Sequence, residues 1–146
     1  MNWTRNAALV CSLVLLMTAT RPTSVFAQTS NTQLTDDLLE LSRAMNRNLP
    51  LKIDNEKVLD TTVVVGSTLI VKYRFTDEIV ISDPRFSKAR YIAALRESLG
   101  KSTCKGSIEV LRRGAKFIYI FINARGQNII EFTLDAKECQ PFIAGG

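Results

Sequence analysis

The stretch FIYIFIN, residues 117–123, decides the fold, because it is almost purely apolar over the length of one β-strand. A run of this kind predicts a central strand covered on both faces of a sheet. The loop after it carries Gly126, where a short hairpin loop needs positive φ. Residues 128–134 then alternate apolar and polar side chains. The two segments together therefore predict a β-hairpin.

A second hairpin is predicted upstream of this one. Residues 58–65 are rich in valine and threonine, as strands are, and Gly66-Ser67 interrupts the run. Residues 68–75 alternate again, with Lys72 and Arg74 on the polar side. Residues 51–53 also alternate, and residues 79–81 are either a short extra strand or an apolar link.

Helices are predicted before and after that hairpin. The first is capped by Thr35 and ends before Pro50. Asp83 caps the second, which Gly100 ends, and a short helical stretch follows over residues 107–113. Because strands and helices come in pairs, the order indicates an α+β fold. We expect an antiparallel sheet of four to five strands, with the N-terminal helix and the central helix pair on one face.

The N-terminus has the pattern of a secretory signal. An apolar run of about eleven residues, 7–17, follows one basic residue, Arg5, and Val25-Phe26-Ala27 ends in a small residue. A membrane span needs roughly 20 apolar residues, so this run is too short to be one. We predict cleavage after Ala27; an uncleaved anchor is the alternative.

Four segments follow from this reading. Residues 1–27 are the signal peptide and 28–33 a disordered mature N-terminus. Residues 34–139 form a single domain, as their length suits, and 140–146 form a flexible tail. After cleavage, no stable membrane span is expected.

The net charge excludes one class of partner. The full chain carries +5, and loss of Arg5 and Arg21 with the signal lowers this to +3. A nucleic-acid binder concentrates far more positive charge on one face. We therefore expect no nucleic-acid partner. The predicted signal peptide, in turn, indicates a periplasmic or secreted location.

Two cysteines remain once Cys11 leaves with the signal. In an oxidising compartment, Cys104 and Cys139 are expected to form a disulfide. Two free buried thiols are the alternative. A zinc site is disfavoured, because the sequence has no histidine to complete the metal's ligand set.

The sequence carries no recognised catalytic or cofactor-binding motif. We predict no catalytic residue, no cofactor and no metal ligand, since the commonest general base, histidine, is also absent. A carboxylate-based hydrolase remains an alternative, and it would use one of Asp54, Asp77 or Asp83.

A basic cluster, Arg112, Arg113 and Lys116, is the one candidate partner-binding site. Cations at this position also suit the C-terminal end of a helix, where the helix dipole is negative. The cluster is therefore either an ordinary charged helix end or a docking patch for an acidic partner.

The pattern resembles a loose group of small exported bacterial proteins without an assigned activity. The resemblance covers most of residues 33–139. It rests on Asn48-Leu49-Pro50-Leu51 with Asp54, on the strand 69–75, on the run 117–120, on Gly114 and Gly126, and on the cysteine pair. It implies a periplasmic setting and a disulfide, and it assigns no catalytic residue.

The leading hypothesis is a non-enzymatic exported protein that binds a protein partner in the bacterial cell envelope, as an assembly or secretion accessory or as an inhibitor. The alternative is a module that binds a small ligand or lipid between sheet and helices. Its pocket would be lined by the alternating faces of residues 69–75 and 130–134, which are more simply explained as core. The oligomeric state is left open.

Overall fold

The computed structural model describes residues 25–76 and 87–143, with side chains from residue 31 onward. These residues form five strands and four helices. In chain order they are α1 (Val25–Asn46), β1 (Leu51–Lys52), β2 (Lys57–Val65), β3 (Thr68–Phe75), α2 (Lys88–Gly106), α3 (Ile108–Arg112), β4 (Lys116–Ile122), β5 (Asn128–Leu134) and α4 (Gln140–Ile143).

The five strands form one sheet in the order β1-β2-β3-β4-β5. This confirms the predicted α+β fold and both hairpins, but the sheet is mixed rather than antiparallel. Strands β3 and β4 run parallel, with Ile70 opposite Ile118 and Lys72 opposite Ile120. The physical reason is the connection between them: it contains α2 and α3, so the chain returns to the same end of the sheet before β4 begins.

Both hairpin turns rely on glycine at positive φ. Gly66 (φ 57°) lies between β2 and β3, and Gly126 (φ 79°) lies between β4 and β5. The second loop is also held by Asn123, whose Oδ1 accepts hydrogen bonds from the backbone N–H groups of Arg125 and Gln127. The predicted hairpin glycine is therefore confirmed.

One face of the sheet packs on the helices and forms the hydrophobic core. Its strands supply Leu69, Val71 and Phe75, then Phe117, Tyr119 and Phe121, then Ile130, Phe132 and Leu134; the helices supply Leu34, Leu38, Leu95, Cys104 and Leu111. In β4 only every second side chain is fully buried, and Ile118, Ile120 and Ile122 are half-buried. The expectation that this strand is covered on both faces is therefore wrong.

Helix α1 begins earlier than expected. Residues 28–33, predicted to be disordered, belong to a helix that starts at Val25. Neither glycine nor proline interrupts residues 25–46, so nothing stops the helix from extending in this direction. Thr35 is not the cap, since its hydroxyl donates to the carbonyls of Asn31, one turn back, and of Gly66. Residues 1–24 of the predicted signal peptide lie outside the described residues, and cleavage after Ala27 stays a prediction.

Helix α2 is longer than the sequence suggested, and Gly100 lies inside it rather than at its end. A Cβ at Gly100 would lie 2.5 Å from Cζ of Phe142, so the missing side chain is what lets the Phe142 ring approach the helix. Phe142 belongs to α4, and thus residues 140–143 of the predicted loose tail are helical and packed. Ser87 caps α2, accepting from the N–H of Arg90. The expected helix start at Asp83 and the candidate strand 79–81 lie outside the described residues, as do residues 144–146.

A disulfide joins the end of α2 to the residue before α4. Cys104 and Cys139 are bonded, as predicted, and both are fully buried. The bond closes a loop of 35 residues. By the chain-entropy argument, a loop of this length contributes about 3–4 kcal/mol of stability.

Candidate functional site

The face of the sheet opposite the helices is the candidate functional site, and we call it the outer face. Residues paired across neighbouring strands point to the same side, so the register defines its members. They are Lys52 of β1; Val58, Thr61, Val63 and Val65 of β2; Thr68, Ile70, Lys72 and Arg74 of β3; Lys116, Ile118, Ile120 and Ile122 of β4; and Asn128, Glu131 and Thr133 of β5.

The centre of the outer face is apolar. Ile70, Ile118, Ile120 and Ile122 are half-buried by their neighbours on the sheet, and Val63 and Val65 are 49% and 62% exposed. None of these six side chains belongs to the hydrophobic cluster that joins the sheet to the helices. Contiguous apolar surface of this kind is typical of a site where another molecule binds.

Charged side chains lie among these apolar residues. Arg74 pairs with Asp60, the residue at the bulge in β2. Glu131 accepts a hydrogen bond from Nδ2 of Asn128 at 2.8 Å. Within the described part of the chain, no acidic side chain lies within ion-pair distance of Lys72, which is half-buried in the middle of the face. Over these described strands, the outer face therefore combines an apolar centre with one acid, Glu131, and several cations, of which Lys72 lies in the middle of the face without an acidic partner among the described residues.

The predicted basic cluster does not converge on one spot. Arg113 donates to Asp37 of α1 at 2.6 Å, and Arg112 donates to Glu109 at 3.3 Å within α3. Both guanidinium groups are largely exposed, so these ion pairs contribute little to stability. Lys116 instead opens β4 and lies opposite Thr68 on the outer face. Of the three candidate residues, only Lys116 belongs to this face.

The acidic residues considered for hydrolysis are engaged in structure where they are described. Oδ1 of Asp54 accepts from the N–H groups of Glu56 and Lys57, which closes the turn before β2. Slight burial acts to raise the pKa of Asp54, but the Lys57 ammonium at 2.6 Å and the two N–H donors outweigh it and hold the pKa below its usual value. Asp54 is thus an ionised turn residue. Asp77 and Asp83 lie outside the described residues.

Three aromatic side chains of β3 and β4, Tyr73, Tyr119 and Phe121, belong to the core. On the helix side of the sheet, Tyr73 stacks with both Tyr119 and Phe121. Burial raises the pKa of Tyr73 to about 12, helped by the neighbouring Tyr119. The Tyr119 hydroxyl lies 2.5 Å from that of Thr103 on α2, so this buried phenol has a partner. The faces proposed to line a ligand pocket pack against the helices.

Among the described residues, no group of three or more cysteine and acidic side chains is close enough to hold a metal ion. None of the described helices combines the length and the apolar character needed to span a bilayer.

The outer face does not follow from the sequence pattern alone. Its isoleucines were interpreted as part of one continuous apolar strand, although aromatic residues at 117, 119 and 121 alternate with isoleucines at 118, 120 and 122. That alternation is the local sign that the two sides of β4 differ. Its meaning depends on Ile70 and Val63 lying beside it, and the pairing that brings them there is visible only in the structure.

Comparison with known proteins finds relatives by structure alone. No protein-family model matches the sequence, and no curated protein matches it either. A Pseudomonas aeruginosa protein that is inferred to be secreted superposes with a TM-score of 0.64 and 21% identity, over 76% of this chain and 96% of that one.

Two bacterial secretion proteins share the fold. The pilotin EpsS of the Vibrio vulnificus type 2 secretion system has a TM-score of 0.63 and 16% identity, covering 78% of this chain and 98% of its own. The type II secretion system pilotin AspS of Vibrio cholerae has a TM-score of 0.60 and 15% identity, covering 77% and 98%. At these identities the comparison shows that the chain has the fold of these three bacterial proteins.

Proposed function

We propose that this chain is a non-enzymatic accessory protein, exported to the bacterial cell envelope, which binds a protein partner through its outer face. The observation that carries the proposal is the apolar strip of the outer face, which lies apart from the hydrophobic core and consists of Val63, Val65, Ile70, Ile118, Ile120 and Ile122. Burial of apolar surface is the main driving force of protein association.

Three other observations support the proposal. The N-terminal pattern is that of a secretory signal. A buried disulfide suits an oxidising compartment. Two of the proteins with the same fold are pilotins of a secretion system, and the third is inferred to be secreted. Assistance to the assembly of an envelope complex is therefore the role we favour over inhibition of an enzyme.

The test uses two matched substitutions. Val63 is 49% exposed on the outer face, and Ile53 is 47% exposed away from it. Replacing either by Glu puts a charge at an apolar position of equal exposure. Val63→Glu should abolish capture of the partner, because a buried carboxylate at the centre of an interface is costly. Ile53→Glu should leave capture unchanged.

The measurement is affinity capture from an envelope extract of the source bacterium, with the protein purified after export. Circular dichroism and thermal unfolding of each variant establish that it is folded. Equal recovery of the same proteins by both variants would exclude the outer face as the site. No reproducible partner, together with a bound lipid or small molecule in native mass spectrometry, would favour the ligand-binding alternative instead.

A further inference from the structure

Two opposite charges of the outer face flank β4 in one row. Lys72 on β3, Ile120 on β4 and Glu131 on β5 lie side by side in one row of the sheet. Neighbouring strands lie about 4.8 Å apart, so the cation and the acid stand at equal distances on the two sides of Ile120. Along β4, Ile118 and Ile122 extend the apolar strip above and below this row.

This arrangement is complementary to itself. Consider a second copy whose outer face is laid on the first, related by a two-fold axis that runs along β4 in the plane between the sheets. The rotation places β3 of each copy over β5 of the other, and β4 over β4. Lys72 then faces Glu131 of the second copy, Glu131 faces its Lys72, and the isoleucines of β4 meet their own counterparts. The two Lys116 side chains also face each other, at the exposed start of β4.

Known sheet packing is compatible with this placement. Two sheets that pack face to face lie about 10 Å apart, with their strands rotated by about 30°. This ~30° rotation is about the normal to the two sheets, and it displaces residues near that normal least. With the normal passing through Ile120, the row Lys72–Ile120–Glu131 stays nearly in place. An interface of this kind is isologous, because the same patch is used by both copies.

We propose that, in the free protein, the outer face is covered by a second copy of this chain, paired through Lys72 and Glu131. The inference rests on the proposed function, since it names the first occupant of the same face. The half-buried Lys72 is the observation that favours this occupant. An apolar partner would bury its ammonium group without a counter-charge, which costs free energy, whereas the second copy supplies Glu131. The envelope partner must then displace the second copy to bind.

Charge exchange tests the pairing directly. Lys72→Glu places two acids opposite each other at both ends of the row, and Glu131→Lys places two cations there. Each single variant should raise the dimer dissociation constant at least about tenfold, because like charges across an interface repel. The double variant K72E/E131K restores opposite charges and should return the dissociation constant to near that of the unmodified protein.

The dissociation constants are measured by sedimentation equilibrium over a concentration series, with the protein purified after export. Lys101→Glu is the control, because Lys101 is an exposed cation on α2 that pairs with Glu97 and lies away from the outer face. It should leave the dimer unchanged.

Three results would overturn the proposal: a monomer at every concentration, a dimer that none of the exchanges weakens, or a double variant no better than the singles. The same experiments distinguish failure of this dimer proposal from failure of the proposed function. A monomeric protein whose partner capture is lost in Val63→Glu leaves the envelope partner as the occupant of the face. A dimer that responds to charge exchange, but captures no partner, leaves self-association without that function.

Discussion

Asn46, the last residue of α1, protects the edge of the sheet. Its Nδ2 donates to the carbonyl of Thr62 and its Oδ1 accepts from the Thr62 N–H, both at 2.9 Å. The side-chain amide thus makes the two bonds that another strand would make at that point of β2. Beside it, the hydroxyls of Ser42 and Thr62 lie 2.7 Å apart and are buried. An unpaired strand edge invites aggregation, and here a helix supplies the missing partner.

Replacement of Asn46 should therefore destabilise the protein. In Asn46→Ala, both backbone groups of Thr62 lose a partner, and we expect a loss of about 1–2 kcal/mol in the free energy of unfolding. Asn46→Asp should cost at least as much, because it sets a carboxylate oxygen against the Thr62 carbonyl. Urea denaturation measures the loss. Asn48→Ala, an exposed asparagine two residues on, is the control, and an equal midpoint for both alanine variants would contradict this role of Asn46.

Helices α2 and α4 meet at Gly100, and this contact decides whether a substitution there stabilises or destabilises the protein. In an open helix, Gly→Ala stabilises by about 1 kcal/mol. At Gly100 the new Cβ would lie 2.5 Å from the Phe142 ring, so the ring and α4 must move. We expect Gly100→Ala to destabilise by about 1–3 kcal/mol, as overpacking does. Thermal unfolding measures the change.

A second glycine of the same helix serves as the control. A Cβ at Gly106 would meet nothing within 4 Å, so Gly106→Ala should be neutral or stabilising. Adding Phe142→Ala to Gly100→Ala removes the clash, and the two changes should then couple favourably. Gly100→Ala as stable as Gly106→Ala would mean that Phe142 does not pack on α2.

The elements that could be predicted are those encoded by neighbouring residues. Alternation in residues 68–75, together with glycine at 66 and 126, is a local signal, and both hairpins follow from it. The role of Gly100 is set by Phe142, more than forty positions away, and without that contact a helix stop was the simpler interpretation. Likewise, no local residue encodes the parallel pairing of β3 with β4, which depends on the path of the chain through α2.

The same distinction applies to the candidate site. The disulfide could be predicted because two cysteines in a chain with a predicted secretory signal leave few choices. Lys116 was named for its charge, whereas its place beside the isoleucines depends on strand order. Ile70 and Ile118 become one surface only when two segments nearly fifty positions apart pair, so the outer face could not be derived from periodicity.

Taken together, the helices, the core and the disulfide all lie on one side of the sheet or at its edge. Helix α1 covers the β2 edge, α2 packs over β5, where Arg96 lies 5.5 Å from the centre of the Phe132 ring, and the disulfide ties α2 to the C-terminal segment. The phenol groups of Tyr73 and Tyr119 are buried in this core. The stability of the protein at alkaline pH therefore depends on their ionisation.

Stability should fall at alkaline pH because of Tyr73. Its pKa is raised by burial to about 12, against about 10 in an unfolded chain. The unfolded chain therefore loses this proton first, and ionisation favours unfolding. The contribution of Tyr73 is fully present below pH 10 and is lost as the pH rises towards 12, for a decrease of about 2 kcal/mol. Burial also raises the pKa of Tyr119, which acts in the same direction.

Unfolding free energies across this pH range, followed by circular dichroism, measure the decrease, and Tyr73→Phe isolates the contribution of one ring. Phenylalanine keeps the stacking with Phe121 but has no proton to lose. Its stability should therefore fall less steeply than that of the unmodified protein between about pH 10 and 12. Equal slopes would show that the Tyr73 phenol titrates as readily in the folded protein as in the unfolded chain, and hence that the stacked rings of the core admit water.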